Sequence, residues 1–180
     1  MPTGAGSVQH VFPGTYAVAA KASSYYTAEG QSVVTYFGQQ SARTARLAVA
    51  LSPQGAAKVQ ASASSWLSKC AASGQLAPSG CPFRAVAEPG ITYSNGHWTI
   101  QSEPSLEVGK WDPQSDGWQV TTSTPGQITF TADAARGNAT GTASTGLQQF
   151  VVVGTAVPSG SGISFVPSPS YSPQTGGALT

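Results

Sequence analysis

Charge is what this 180-residue chain has least of. Its eight Lys/Arg and seven Asp/Glu make 8% of the residues charged, against roughly 25% in an average soluble domain. The solvated surface must therefore be built from Ser, Thr, Gln, Gly and Ala, as in many extracellular β-rich domains. A formal net charge of +1, with no Lys/Arg cluster, removes the long-range field on which nucleic-acid binding depends, so no nucleic acid is expected as a partner. Long apolar runs are missing too: no stretch reaches the roughly 18 residues that span a bilayer. The opening MPTGAGSVQH has neither the charged nor the apolar part of a signal peptide. No membrane contact is expected from this segment itself; the expectation is a piece of a longer precursor whose signal or anchor lies outside it. Cysteine and histidine are scarce, two of each. With no C-x-x-C and no neighbouring histidines, a zinc site cannot be completed, and no metal or cofactor is expected.

What is present reads as one α+β domain, since a chain of this length suits a single core. Residues 1–10 are small and aperiodic and predict a flexible lead-in. Residues 11–51 predict a small β unit. Tyr16, Val18 and Ala20 alternate after a Pro13-Gly14 turn, 32–37 are β-branched and aromatic, and Ala45, Leu47, Val49 and Leu51 fall at period two across a strand from Thr44 to Leu51. Residues 52–83 form the segment around which the rest is arranged. Ser52 suits an N-cap and Pro53 the first helical position, and Val59, Ala63, Trp66, Leu67 and Cys70 share one helical stripe. Lys69 complements the helix dipole in the last turn, and Gly74 is the expected stop.

Residues 84–167 then read as an antiparallel meander. Asn95-Gly96 predicts a tight hairpin turn and Asp112 to Gly117 another. The polar run from Ala132 to Gly146 reads as a long connection. Gln148 to Val157, with Val151, Val152 and Val153 consecutive, predicts one strand buried on both faces. Residues 168–180 are Pro/Ser-rich and predict a disordered tail. One main helix on a mostly antiparallel sheet, after a small β unit, is the element order of a cystatin-like or nuclear-transport-factor-like roll.

Chemistry is thinly supplied. The two cysteines, Cys70 and Cys81, are best read as a disulfide tying the helix end to the GCPF turn, the alternative being two buried free thiols. His97 is a candidate base, although a histidine beside a turn is more often merely exposed. Asp112 and Asp116 in WDPQSDGW suit turn chemistry better than a calcium loop, which needs more acids at alternate positions and a bidentate glutamate. No G-x-S-x-G elbow occurs, so catalytic residues are expected to be none. Asn138-Ala139-Thr140 matches an N-glycosylation sequon. Trp66, Trp98, Trp118, Phe130 and Phe150 are expected in the core. Trp111 with Tyr25 and Tyr26, if exposed together, would make a platform for a glycan or a protein partner.

The runs FPGTYAV, WLSKCAAS, LAPSGCPF, HWTI, DGWQVTTSTPGQITFT, QQFVVVGTAV and ISFVPSP resemble the C-terminal extracytoplasmic domain of actinobacterial single-pass membrane-anchored proteins of unknown function, over roughly residues 11–167. The resemblance implies a cell-surface location and supplies no catalytic residue. Together these features predict a non-catalytic, disulfide-bonded extracytoplasmic domain serving ligand sensing or protein interaction, with an envelope protein or a cell-wall glycan as partner. The alternatives are an envelope hydrolase with a site near His97 and a structural or adhesive surface module.

Overall fold

The computed structural model describes residues 9–19, 21, 23–38, 43, 45, 47–160, 162–168 and 176–179. Most of the expected lead-in therefore lies outside the described residues. Among the described residues four short strands precede the helix: β1 (Gly14–Val18), β2 (Tyr26–Ala28), β3 (Gln31–Thr35) and β4 (Val49–Leu51). They form two separate antiparallel pairs, β1 with β3 and β2 with β4. The strand expected from Thr44 is thus only three residues long where it is described, with Thr44 and Arg46 themselves outside the described residues. The pairing with β2 is prolonged by one bond, Glu29 N donating to Ala48 O at 3.3 Å.

The helix, α1 (Pro53–Ala71), begins as its local signals dictate. Ser52 is extended, its Oγ accepts from Gly55 N at 3.0 Å, and its hydroxyl donates to Ser24 O at 2.6 Å. Gly55 is required by close approach, because a Cβ there would overlap the Tyr25 carbonyl oxygen. Val59, Ala63, Leu67 and Cys70 are buried along one stripe, while Trp66 is half-buried and packs on Phe165 with ring centroids 5.6 Å apart. The helix ends at Ala71 with Ala72 still right-handed, three residues before the expected stop at Gly74.

After α1 come β5 (Arg84–Val86), β6 (Thr92–Ser102), β7 (Ser105–Asp112), β8 (Gly117–Thr124), β9 (Gly126–Arg136), β10 (Ala139–Ser144), β11 (Gln148–Phe150), β12 (Gly154–Ser159), β13 (Gly162–Pro167) and β14 (Gly176–Ala178). Strands β6, β9, β10 and β11 form one four-stranded antiparallel sheet, and β7, β8, β12 and β13 form another. The chain passes between the sheets at 103–104, at Pro125 and at 151–153. These passages line up: Ser102 faces Gln127, Ser105 faces Thr124, and Phe150 faces Gly126. The result is one long hairpin, 92–136, creased at a common level and flanked by a third creased strand. Prolines at 104 and 125 cannot donate to a ladder, so the pairing breaks where they stand. Pro104 is fully buried, and a Cβ on Gly126 would lie 2.9 Å from its Cδ and 2.5 Å from Phe150 Cζ, so the crease is closely filled.

Several expectations change in this light. Asn95-Gly96 is not a hairpin turn. It lies inside β6, where Ser94 faces Asp133 and His97 faces Thr131, so one extra residue makes a β-bulge with Asn95 at φ 52°. A bulge and a turn both demand a residue that tolerates left-handed backbone, which is why the same dipeptide signals either. The supposed polar connection 132–146 is largely the β9–β10 hairpin, with its turn at Gly137-Asn138. The expected single strand 148–157 is two strands in different sheets, and Val151, Val152 and Val153 form the passage between them. Of the expected disordered tail, residues 169–175 and 180 lie outside the described residues, but Gly176–Ala178 pairs in parallel with β5 and Leu179 is buried in the core. Asp112 does serve its turn, its Oδ1 accepting from Gln114 N at 2.9 Å and its Oδ2 from Ser115 Oγ at 3.0 Å.

Both sheets and α1 share one apolar core containing Trp98, Trp118, Phe130 and Phe150. Phe83 sits 4.7 Å from the Trp98 ring and 5.7 Å from that of Phe150. The two buried indoles hold the chain on either side of the helix: Trp118 Nε1 donates to Val49 O at 3.2 Å, and Trp98 Nε1 donates to Gln75 O at 2.9 Å. Cys70 and Cys81 form a disulfide with Cα atoms 5.7 Å apart, fastening the last helical turn to the segment that leads into β5. Closing a loop of this size stabilises the fold by about 3 kcal/mol in the chain-entropy treatment. Replacing both cysteines, Cys70→Ser with Cys81→Ser, is therefore expected to lower the urea unfolding free energy by about 2–3 kcal/mol; an unchanged midpoint and slope would show that the clamp is dispensable.

Candidate functional site

The aromatic platform expected from Trp111, Tyr25 and Tyr26 is half present and half absorbed. Trp111 meets Trp118 edge-on with centroids 4.7 Å apart, and Tyr26 lies 6.1 Å from the same ring. Both therefore lean on a buried tryptophan and are themselves half-buried. The cross-strand register Trp111 opposite Trp118 brings the first pair together, and the β2–β4 pair lays Tyr26 over the second. Tyr25 serves the fold instead, because its carbonyl oxygen accepts from Ser52 N at 2.9 Å and so fixes the chain against the helix cap.

His97 is exposed on β6. On the facing strand the carboxylate of Asp133 accepts from Asn95 Nδ2 at 2.7 Å, across the bulge, and is thereby committed to holding the bulge. Glu103 is likewise engaged, by the Ser64 hydroxyl of α1. Among the described residues no three His, Cys, Asp or Glu side chains gather to hold a metal ion. A cleft of about 480 Å³ opens beside the disulfide, with Trp66, Pro78, Phe83, Val152 and Val153 among its walls and Arg84 as its charged residue. No histidine or carboxylate lines it, so among the described residues it holds no group suited to acid–base chemistry. Asn138 is exposed at the tip of β9–β10. No helix among the described residues is long and apolar enough to cross a membrane.

Tyr36 and Phe37, two further aromatics of the N-terminal β unit, lie with residues that sequence reasoning did not single out, on β1 and β3 and at their open end. Eight large hydrophobic side chains are exposed among the described residues, and five of them, Val11, Phe12, Val34, Tyr36 and Phe37, belong to this region. Phe12 is 85% and Phe37 90% exposed. The register Gly14 opposite Thr35 sets 11–12 beside 36–37 at the end of the hairpin. That end is tied by short polar contacts: Thr35 Oγ1 donates to Phe12 O at 3.0 Å, and Tyr16 Oη donates to the same oxygen at 2.7 Å. None of the hydrophobic side chains of β1 or β3 is part of the core or packs against it. A large ring exposed to this degree is uncommon on a surface that has no partner. The available sequence signal was Phe12 abutting Pro13-Gly14 and Tyr36-Phe37 abutting Gly38, aromatics at turn residues where alternation offers no core to receive them.

Because both rings lie outside the core, Phe12→Ser combined with Phe37→Ser is expected to change the unfolding free energy by less than about 0.5 kcal/mol each. Trp118→Ala, in contrast, should cost about 3–5 kcal/mol; chemical denaturation of both variants checks this, and a large loss from the phenylalanine pair would place them in the core after all. Comparison with protein-family models, with curated proteins and with solved structures finds no match to this chain.

Proposed function

We propose that the chain is a non-catalytic extracytoplasmic recognition domain of a membrane-anchored cell-envelope protein, and that it docks to a protein partner through the β1–β3 hairpin. The observation that carries this reading is Phe12 and Phe37 almost fully exposed at the end of a two-stranded hairpin that the core does not cover. Two strands alone are marginally stable in water, so a hairpin of this composition gains most from a surface that covers it. Its charge favours a protein over a polyanionic wall polymer. Residues 9–38 contain one cation, Lys21, and one anion, Glu29, leaving apolar burial and backbone pairing along a strand edge as the means of recognition.

The extracytoplasmic placement is supported by the Cys70–Cys81 disulfide, which persists in oxidising compartments, and by the weakly charged, Ser- and Thr-rich sequence. The resemblance to anchored actinobacterial envelope proteins points the same way. Sheets creased around a single helix are the arrangement expected of a cystatin-like or nuclear-transport-factor-like roll, a scaffold on which a rigid body presents loops and edges. A glycan-binding role for Trp111 and Tyr26 is the second reading, favoured by their convergence on Trp118 with part of each ring exposed.

The purified domain is expected to bind isolated envelopes of its native host. Phe12→Ser with Phe37→Ser should weaken that binding at least about tenfold, the loss of one hot spot of roughly 1.4 kcal/mol, while Trp111→Ala leaves it unchanged. The reverse order would move the site to the Trp111 cluster, and equal retention of all three proteins would remove the hairpin from recognition.

A further inference from the structure

The last described residues of the chain fill a slot in the core. Strand β14 runs parallel to β5, with Gly176 opposite Arg84, Gly177 opposite Ala85 and Ala178 opposite Val86. On its other side Gly177 N donates to Gln148 Oε1 at 3.1 Å. Two residues beyond Gly177, Leu179 is 2% exposed and packs with the core. Gln148 lies so close over the Gly177 α-carbon that a Cβ there would overlap its Nε2, and would also come within 2.9 Å of Thr145 Cβ. The slot thus reads three things in an extended chain: backbone that pairs with β5, no side chain under Gln148, and an aliphatic group two residues on.

As an occupant, β14 is a poor match. It pairs over only three residues, so a longer segment could extend the ladder. The side chain of Gln148 is more than nine-tenths buried, at 8% exposure, and its Nε2 has no hydrogen-bond partner among the described residues. A buried donor left unpaired next to the strand costs free energy that an occupant bringing an acceptor would recover. Residues 168–175, a Pro- and Ser-rich run, connect β14 to β13 and so present it to the slot at high effective concentration.

We propose that this slot is a binding site for an extended segment of a partner protein, added in parallel to β5 with glycine under Gln148 and an aliphatic residue two positions later. Strand β14 is the intramolecular occupant that such a segment displaces. The site is distinct from the β1–β3 hairpin, and its occupancy does not depend on the hairpin's role.

The probe is a fluorescein-labelled peptide of residues 175–180, Thr-Gly-Gly-Ala-Leu-Thr, titrated by anisotropy into the full chain. In Gly177→Val the chain's own strand cannot seat, because the new side chain overlaps Gln148. The peptide is expected to bind this variant saturably and at least about tenfold more tightly than the wild type, where a tethered competitor acts at roughly millimolar effective concentration. A peptide carrying valine in place of its second glycine should not bind either protein. A folded Gly177→Val variant, with its disulfide intact and native tryptophan emission, that shows no saturable binding overturns the proposal, as does equal affinity for variant and wild type. Leu179→Ala provides a second way to loosen the strand and should also raise peptide affinity. Failure of both variants to fold would make β14 an integral part of the fold and overturn the proposal equally.

Discussion

Burial of one apolar stripe on one helix is the constraint on which the rest of this structure depends. Val59, Ala63, Leu67 and Cys70 are fully or almost fully removed from water. A helix surface is curved, so strands on both of its flanks are needed to cover it. The protein supplies them by creasing a long hairpin and its neighbouring strand at a common level, so that β6 and β7 pass one flank of α1 and β13 the other. Contacts at the two flanks are specific. Gln60 Nε2 donates to Pro104 O at 3.1 Å at the crease, and Ser62 Oγ accepts from Phe165 N at 3.0 Å on β13. The helix is then held beyond its two ends by the Trp118 and Trp98 indoles and, at its last turn, by the disulfide.

This arrangement divides the chain into a part that is determined by the core and a part that is not. The β2–β4 pair belongs to the first, because Ser52 and Tyr25 join it to the helix cap and Tyr26 lies against Trp118. The β1–β3 pair belongs to the second: its strands pair with each other, and its aromatic end faces outward. A fold that uses its tryptophans to bracket one helix, yet leaves Phe12 and Phe37 in water, concentrates its unsatisfied apolar surface in one place. The other three exposed large hydrophobics among the described residues, Val86, Leu147 and Val166, belong to other parts of the chain, and covering the hairpin would leave the core as it is.

What the sequence made legible was whatever rests on local physics. The helix could be read from Ser52, Pro53 and a repeat of 3.6 residues, and the 112–117 turn from Asp112, because each signal lies within a few residues of its effect. The disulfide followed from counting cysteines. What stayed hidden depends on pairing across distance. Asn95-Gly96 announces a residue with left-handed backbone, but whether it closes a hairpin or bulges a strand is decided by β9, more than thirty residues away. The consecutive valines 151–153 look like one buried strand because both sheets bury their partners, and only the crease separates β11 from β12. Leu179 gave no signal at all, since a single leucine after a Pro/Ser-rich run has no period to betray it. The half-burial of Trp111 and Tyr26 stayed hidden for a related reason: nothing in their own neighbourhood indicated that Trp118 would gather them.

The central claim, that a core built around α1 carries a hairpin that stands outside it, is tested most directly by native-state hydrogen exchange on the isolated protein. Amides of β6, β8, β9 and α1 should exchange only through global unfolding, while those of β1 and β3 exchange through local opening and are at least about a hundredfold less protected. Protection of the hairpin amides equal to that of β9 would contradict the account, because it would mean that the core holds β1 and β3 as firmly as its own strands.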